Sequence, residues 1–306
     1  MNAQHSGATP AAATQPTIGI PMEYAMSDTD HPEMPPSVPA AGSRTGHALI
    51  TGASSGIGAA IAREYAKRGK PLILTARRED RLTQLADELG KRVPCFVIAA
   101  DLADPAVPEA LFFEIQANDL FVDTLVNNAG YGVPGRFLAE DWKTHADFLQ
   151  VLVTSVVELT HRFLPAMEMA GRGRVLNVAS LAGLIPSSAG HTLYGAAKSF
   201  VIRFSESLAL EMKPRGVHVT ALCPGFTYTE FHDVNGMREK VSKLPKSIWL
   251  TAAEVAKLGV DAVEAGKSRI VTGKANRTIA AVAKYMPDAL ARKLVSSRSK
   301  DFRDAG

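Results

Sequence analysis

Ser180, Tyr194 and Lys198 place a hydroxyl, a phenol and an ammonium in one short stretch of chain. Tyr194-Gly195-Ala196-Ala197-Lys198 lies on an expected helix, where positions i and i+4 share a face, so the ammonium can sit near the phenol. Free tyrosine ionises near pH ~10 and is a poor proton carrier at neutral pH. A neighbouring cation favours the phenolate and lowers that value toward a useful range. Ser180 ends an expected strand, where its hydroxyl can bond a substrate oxygen. The set suits hydride transfer between nicotinamide C4 and a carbinol carbon, with Tyr194 moving the proton. A Tyr-x3-Lys pair alone carries little weight, since many helices bear one as a solvated pair. Its weight here comes from the strand-end serine and a glycine-rich turn upstream.

That turn reads Thr51-Gly52-Ala53-Ser54-Ser55-Gly56-Ile57-Gly58, between an apolar strand and an amphipathic helix. Gly52 permits the tight turn, Gly56 lets backbone approach a pyrophosphate, and Gly58 lets the helix pack close to the sheet. The helix N-terminus then offers free N–H groups and a favourable dipole to phosphates. The spacing is G-x3-G-x-G, not the commoner G-x-G-x-x-G. The second strand ends Thr75-Ala76-Arg77-Arg78, with no acid to hold a ribose 2′-hydroxyl. The guanidiniums of Arg77 and Arg78 suit a 2′-phosphate instead, which favours NADP over NAD. Asp101, followed by Leu102, ends the third strand and either bonds adenine or caps the next turn. Asn127-Asn128-Ala129-Gly130 ends the fourth strand on the same edge.

The elements that must position these groups alternate along the chain. Strands are expected at His47–Thr51, Pro71–Thr75, Val93–Ala100, Thr124–Asn127, Arg174–Val178, Val217–Cys223 and Arg269–Val271. Helices are expected at Ile57–Arg68, Glu79–Leu89, Pro108–Asn118, Asp141–Ala170, His191–Lys213 and Ala252–Glu264. Strands this apolar read as buried on both faces. The fold class is therefore α/β, a doubly wound parallel sheet with helices on both faces.

The chain has 306 residues, 46% apolar and 21% charged, and a formal net charge of +3 with acids and bases interspersed, which offers no nucleic-acid stripe. No apolar run is long enough for a membrane span. Cys95 and Cys223 have no metal or redox spacing, read as small buried hydrophobes, and point to a reduced cytoplasmic compartment. Segment 1–44 is rich in Pro, Ala, Ser and Thr, has little apolar periodicity and reads as a disordered tail. Met22, Met26 and Met34 offer alternative starts, and a start placed too far upstream is the plainest account of that segment. Residues 45–306, roughly 260 of them, are the size of one α/β domain.

Taken in order, Thr51–Gly58, Asn127–Gly130, Ser180, Tyr194–Lys198 and Pro224-Gly225 resemble the short-chain dehydrogenase/reductase family in its single-domain form. The resemblance covers roughly residues 46–273. It implies a Rossmann-type sheet, a nicotinamide cofactor, and Ser180, Tyr194 and Lys198 as substrate-orienting group, acid/base and assistant. It implies that Lys198 also binds the nicotinamide ribose. By the same resemblance Asn128 supports the central strand and borders the cofactor, while Pro224, Gly225 and Thr229 line its nicotinamide side. Ala76-Arg77-Arg78 is similar to NADP-preferring members. One departure stands out. The family often places an asparagine in the long helix before the serine, where it holds a water of the proton relay; this chain has Leu152 there. A backbone carbonyl can still hold such a water, so the expectation is weakened or rerouted activity.

His161, His191, His218 and His232 show no metal spacing. Segment 226–250, with Phe226, Tyr228, Phe231 and Trp249, reads as a substrate lid. Asn276–Leu294 reads as an amphipathic helix. The long helices 141–170 and 191–213 carry more apolar positions than a monomer needs, which suggests a homodimer or homotetramer. The expected function is NADP-dependent interconversion of a carbonyl and a secondary alcohol on a small to medium apolar substrate. A non-catalytic NADP(H) sensor acting through a protein partner is the alternative, motivated by Leu152 and the tail. A nucleotide-sugar dehydratase or epimerase would need a larger second domain than the residues after the last strand provide.

Overall fold

The computed structural model describes residues 44–186, 189–190, 192–229, 245 and 248–287. The first 43 residues, where the tail reading falls, lie outside them. The order is β1 (Gly46–Thr51), α1 (Gly56–Lys67), β2 (Leu72–Ala76), α2 (Glu79–Leu89), β3 (Cys95–Ala99), α3 (Val107–Ala117) and β4 (Phe121–Asn127). Then come α4 (Trp142–Leu149), α5 (Ser155–Met169), β5 (Gly173–Val178), α6 (Thr192–Met212) and β6 (Val217–Cys223). The described part closes with β7 (Thr227–Tyr228), β8 (Leu250–Thr251), α7 (Ala252–Glu264), β9 (Arg269–Val271) and α8 (Lys274–Tyr285).

Seven strands form one parallel sheet in the order β3-β2-β1-β4-β5-β6-β9. Strand order reverses between β1 and β4, so the chain leaves these two strands in opposite directions and opens a crevice at their carboxyl ends. Register places the strand ends level: Thr51 pairs with Thr75, Asn127 with Asn177, and Val178 with Leu222. All candidate loops therefore emerge on one edge.

Alternation along the strands feeds two cores. Ile50, Leu72, Leu74, Val126 and Leu176 pack under α1, α2 and α7 with Ile61, Leu82 and Val260. Leu49, Ile73, Leu125 and Val175 face the other way, toward Leu111, Phe163 and Met212 of α3, α5 and α6. Each such side chain, fully buried, contributes about 1.5–3 kcal/mol. A buried polar chain ties the second layer to the strand ends. Asn127 Nδ2 donates to Asn177 Oδ1 at 2.8 Å and to Thr160 Oγ1 at 3.1 Å, and Asn177 Nδ2 donates to Ser205 Oγ at 2.9 Å.

Several local expectations change. The edge strand β3 is partly exposed along its length, because only one side of it is paired, and Cys95 is half-buried while Cys223 is buried. The long helix expected at 141–170 is interrupted by a π-helical stretch, Gln150–Thr154, between α4 and α5. Thr227 and Tyr228 pair with Leu250 and Thr251, so the ends of the 226–250 segment meet, with Tyr228 and Trp249 stacked 4.7 Å apart. Phe231 and residues 230–244 and 246–247 of the expected lid lie outside the described residues. In α8 the apolar positions Ile279 and Val282 are exposed; Leu290 and Leu294 of the expected helix lie outside the described part. Among the described residues no helix is long and apolar enough to cross a membrane.

Candidate active site

Thr51 closes β1 by donating its hydroxyl to Val126 O at 3.3 Å and accepting from the N–H groups of Asn128 and Ala129 at 2.9 and 3.0 Å. Asn128 Nδ2 returns the contact, donating to the carbonyl oxygens of Thr51 and Gly52 at 2.9 and 3.2 Å. The β4 end therefore clamps the glycine turn. Gly52 has φ +64°, and a Cβ there would stand 2.8 Å from Ala129 Cα. A Cβ on Gly58 would stand 2.4 Å from both Gly52 O and Asn128 Nδ2. Only hydrogen fits at either place. Ser55 is the N-cap of α1 but its side chain makes no cap bond, and the first turn holds no acid. The hydroxyls of Ser54 and Ser55 instead accept from the Arg78 guanidinium, with Nη2 at 3.2 and 2.8 Å respectively. A helix dipole and an arginine thus meet at one spot that suits an anion.

Ser180 follows β5 in extended backbone, and its hydroxyl accepts from Ala182 N–H at 3.1 Å. The short 3-10 turn Leu181–Gly183 lies so close to α6 that a Cβ on Gly183 would meet the Lys198 backbone at 2.7 Å. That close approach holds Ser180 against the helix bearing Tyr194, and the two hydroxyl groups hydrogen-bond. Lys198 is 6% exposed, donates to Val178 O at 2.8 Å, and lies 5.8 Å from the Tyr194 ring centroid.

The electrostatics correct one expectation. Burial raises the Tyr194 phenol above its ordinary value, and the Ser180 hydrogen bond only partly opposes it. Burial also lowers the Lys198 ammonium to about 8. Desolvation disfavours both charged forms, and here it outweighs the attraction expected between them.

One cleft of about 640 Å³ joins these groups. Its walls include Gly52, Ser54, Ser55, Gly56, Ile57, Arg77, Arg78, Asp101, Leu102, Asn128, Ala129, Gly130, Ser180, Tyr194, Lys198, Pro224, Gly225 and Thr229. Gly58 stands behind the wall, packed on Gly52. Asp101 caps the next turn, accepting from Ala103 N–H at 3.1 Å, while still bordering the cleft. Leu152 is fully buried, and its Cγ lies 3.6 Å from where a Gly130 Cβ would be.

A model of the short chain dehydrogenase family matches residues 46–239. The chain belongs to the short-chain dehydrogenase family. It is an oxidoreductase, and the doubly wound fold is that of its solved relatives. Among similar proteins, sulfoacetaldehyde reductase 2 of Chromohalobacter salexigens is 39% identical over 188 residues, 60% of this chain and 73% of its own length. The NADP-dependent 3-hydroxy acid dehydrogenase YdfG of Salmonella typhi is 33% identical over 235 residues, 71% of this chain and 92% of its own. A short-chain dehydrogenase from Sphingobium yanoikuyae, solved in complex with NADPH, superposes with a TM-score of 0.69 at 30% identity. That superposition covers 85% of this chain and 98% of the other.

Sequence reasoning missed part of this family member's cleft wall. Tyr131, Val151 and Leu181 line it, yet single apolar residues carry no spacing signal. It also missed His145, a buried imidazole on α4 that reaches Tyr194 only through tertiary contact.

Proposed function

We propose that this protein uses NADP to interconvert a carbonyl and a secondary alcohol on a small to medium, apolar substrate. The observation that carries the reading is the continuous cleft, with Arg78 and the glycine turn on its wall together with Ser180, Tyr194 and Lys198. The residues present suit the cofactor. The turn is a cradle that any Cβ at Gly52 or Gly58 would fill, the α1 N-terminus holds no competing acid, and Arg77 and Arg78 offer cations for a 2′-phosphate. The cofactor these residues would hold would supply a hydride in its reduced form, NADPH, and take one up in its oxidised form.

The chain's own groups then divide the remaining work. Ser180 donates a hydrogen bond to the substrate oxygen and fixes its direction. Tyr194, kept protonated by burial, gives its phenolic proton to that oxygen during reduction and takes one back during oxidation. Lys198, anchored on Val178 O, presents its remaining N–H donors to the nicotinamide ribose and to the tyrosine as it loses its proton. The loop after Ser180 contributes Leu181, Ala182, Ile185 and Pro186, an apolar wall that favours an apolar substrate. Exposed Phe200 and Leu210 on α6, with Trp142 on α4, support a homodimer or homotetramer, which light scattering on the purified protein tests directly.

The test is an NADPH-coupled screen of uncharged aldehydes and ketones against wild type and Tyr194→Phe. Turnover of at least one carbonyl, lost in the variant while NADPH still binds, supports the reading. A variant as active as wild type would remove Tyr194 from the chemistry. Binding of NADPH without turnover in any reaction would favour the sensor.

A further inference from the structure

Tyr194 also borders a second, small cavity of about 10 Å³, walled by Arg136, His145, Phe148, Thr192 and Leu193 as well. That is room for about one water molecule. His145 is 6% exposed, and its Nε2 meets the Phe137 carbonyl oxygen at 2.8 Å. A carbonyl only accepts, so Nε2 carries the hydrogen, and in that tautomer Nδ1 is an acceptor. Nδ1 is fully buried and has no partner among the described residues. Phe137 stacks on the ring with centroids 4.6 Å apart, which fixes the ring plane. A buried acceptor without a donor is destabilising and calls for a partner, often a water. Residues of a helix opening stand in the opposite wall. Thr192 and Leu193 open α6, and a helix cannot satisfy its own first N–H groups.

We infer that this cavity holds one ordered water that accepts from the opening turn of α6 and donates to His145 Nδ1. His145 is then a positioning residue. It tethers the turn that carries Tyr194 to α4, and through Phe137 O to the loop after β4. The consequence for turnover rests on the reading of Tyr194 as proton carrier; the water site does not.

Two substitutions separate the two edges of the ring. His145→Asn keeps an amide oxygen near the Nδ1 position and gives up the bond to Phe137 O. His145→Gln keeps an N–H for Phe137 O and gives up the group at Nδ1. The readouts are amide hydrogen exchange of the opening turn of α6, kcat with an active carbonyl, and NADPH affinity by fluorescence. In His145→Gln, exchange should quicken and kcat fall, each by about tenfold, the scale of one lost hydrogen bond. NADPH affinity should hold, and His145→Asn should stay near wild type. The reverse order, or two variants that behave alike, would overturn the tether. If Tyr194→Phe keeps full turnover while exchange follows the expected order, the tether stands and the Tyr194 reading fails.

Discussion

The two ends of the cleft are built on opposite physical principles. The phosphate end is backbone and half-buried charge: two glycines whose Cβ positions are filled, a helix N-terminus without an acid, and Arg78 spread over Ser54 and Ser55. The proton end is side chain, with Lys198 buried in the core on Val178 O and the half-buried Tyr194 bonded to Ser180. At the first end, fixed charge and local geometry create the attraction for an anion. At the second, the removal of solvent sets the protonation of the working groups. Substitutions should therefore act on binding at one end and on chemistry and pH dependence at the other.

The largest separation is expected from Tyr194→Phe. Removing a general acid costs about 10²–10⁴-fold in rate, so turnover should fall by that order while NADPH affinity stays within about twofold, as read by fluorescence titration. A comparable loss of affinity would break the division between the two ends.

Next comes Lys198→Met, read by stability. The Lys198 value is lowered from 10.5 to about 8, so between those pH values the unfolded chain binds more protons than the folded one. By linkage this group makes stability rise as pH climbs from about 8 to 10.5, and below about 8 its buried charge is a full cost. Lys198→Met should raise the melting temperature of the cofactor-free protein at pH 7. The gap to wild type should close as pH approaches 10.5. A variant less stable than wild type at pH 7 would mean that Val178 O fully compensates the buried charge.

Gly58→Ala probes the phosphate end through packing. Its Cβ would press on Gly52 O and Asn128 Nδ2 at 2.4 Å. Overpacking of this kind costs about 1–3 kcal/mol, and it should lower the melting temperature and NADPH affinity together. Unchanged affinity would mean that the turn can shift without harm to the phosphate site.

The same division explains what the sequence revealed. The glycine turn, the strand ends and the Tyr194–Lys198 pair are local patterns, and short-range sterics and helical periodicity make them legible. Apolar runs set the strands correctly to within a few residues because both faces of the inner strands are buried. What escaped was non-local. The π-helical stretch at Gln150–Thr154 sits within one long helical pattern whose periodicity hides it. The partial exposure of Cys95 follows from β3 being an edge, a property of strand order rather than of the strand. The pKa directions at Tyr194 and Lys198 depend on how much of each is buried, which i,i+4 spacing does not encode. His145 joins the site only through tertiary contact with the α6 opening.

The central claim is that this cleft takes a nicotinamide dinucleotide with its 2′-phosphate at the arginine end. The direct test is a fluorescence titration of NADPH and NADH on wild type, Arg77→Ala and Arg78→Ala. Charge-assisted bonds to a phosphate contribute about 1.5–3 kcal/mol, so wild type should prefer NADPH. Arg78→Ala should lose about 10–100-fold in NADPH affinity, with NADH little changed, and Arg77→Ala should lose less, since its side chain is exposed. Equal affinity of wild type for the two cofactors, unaltered in both variants, would contradict the account.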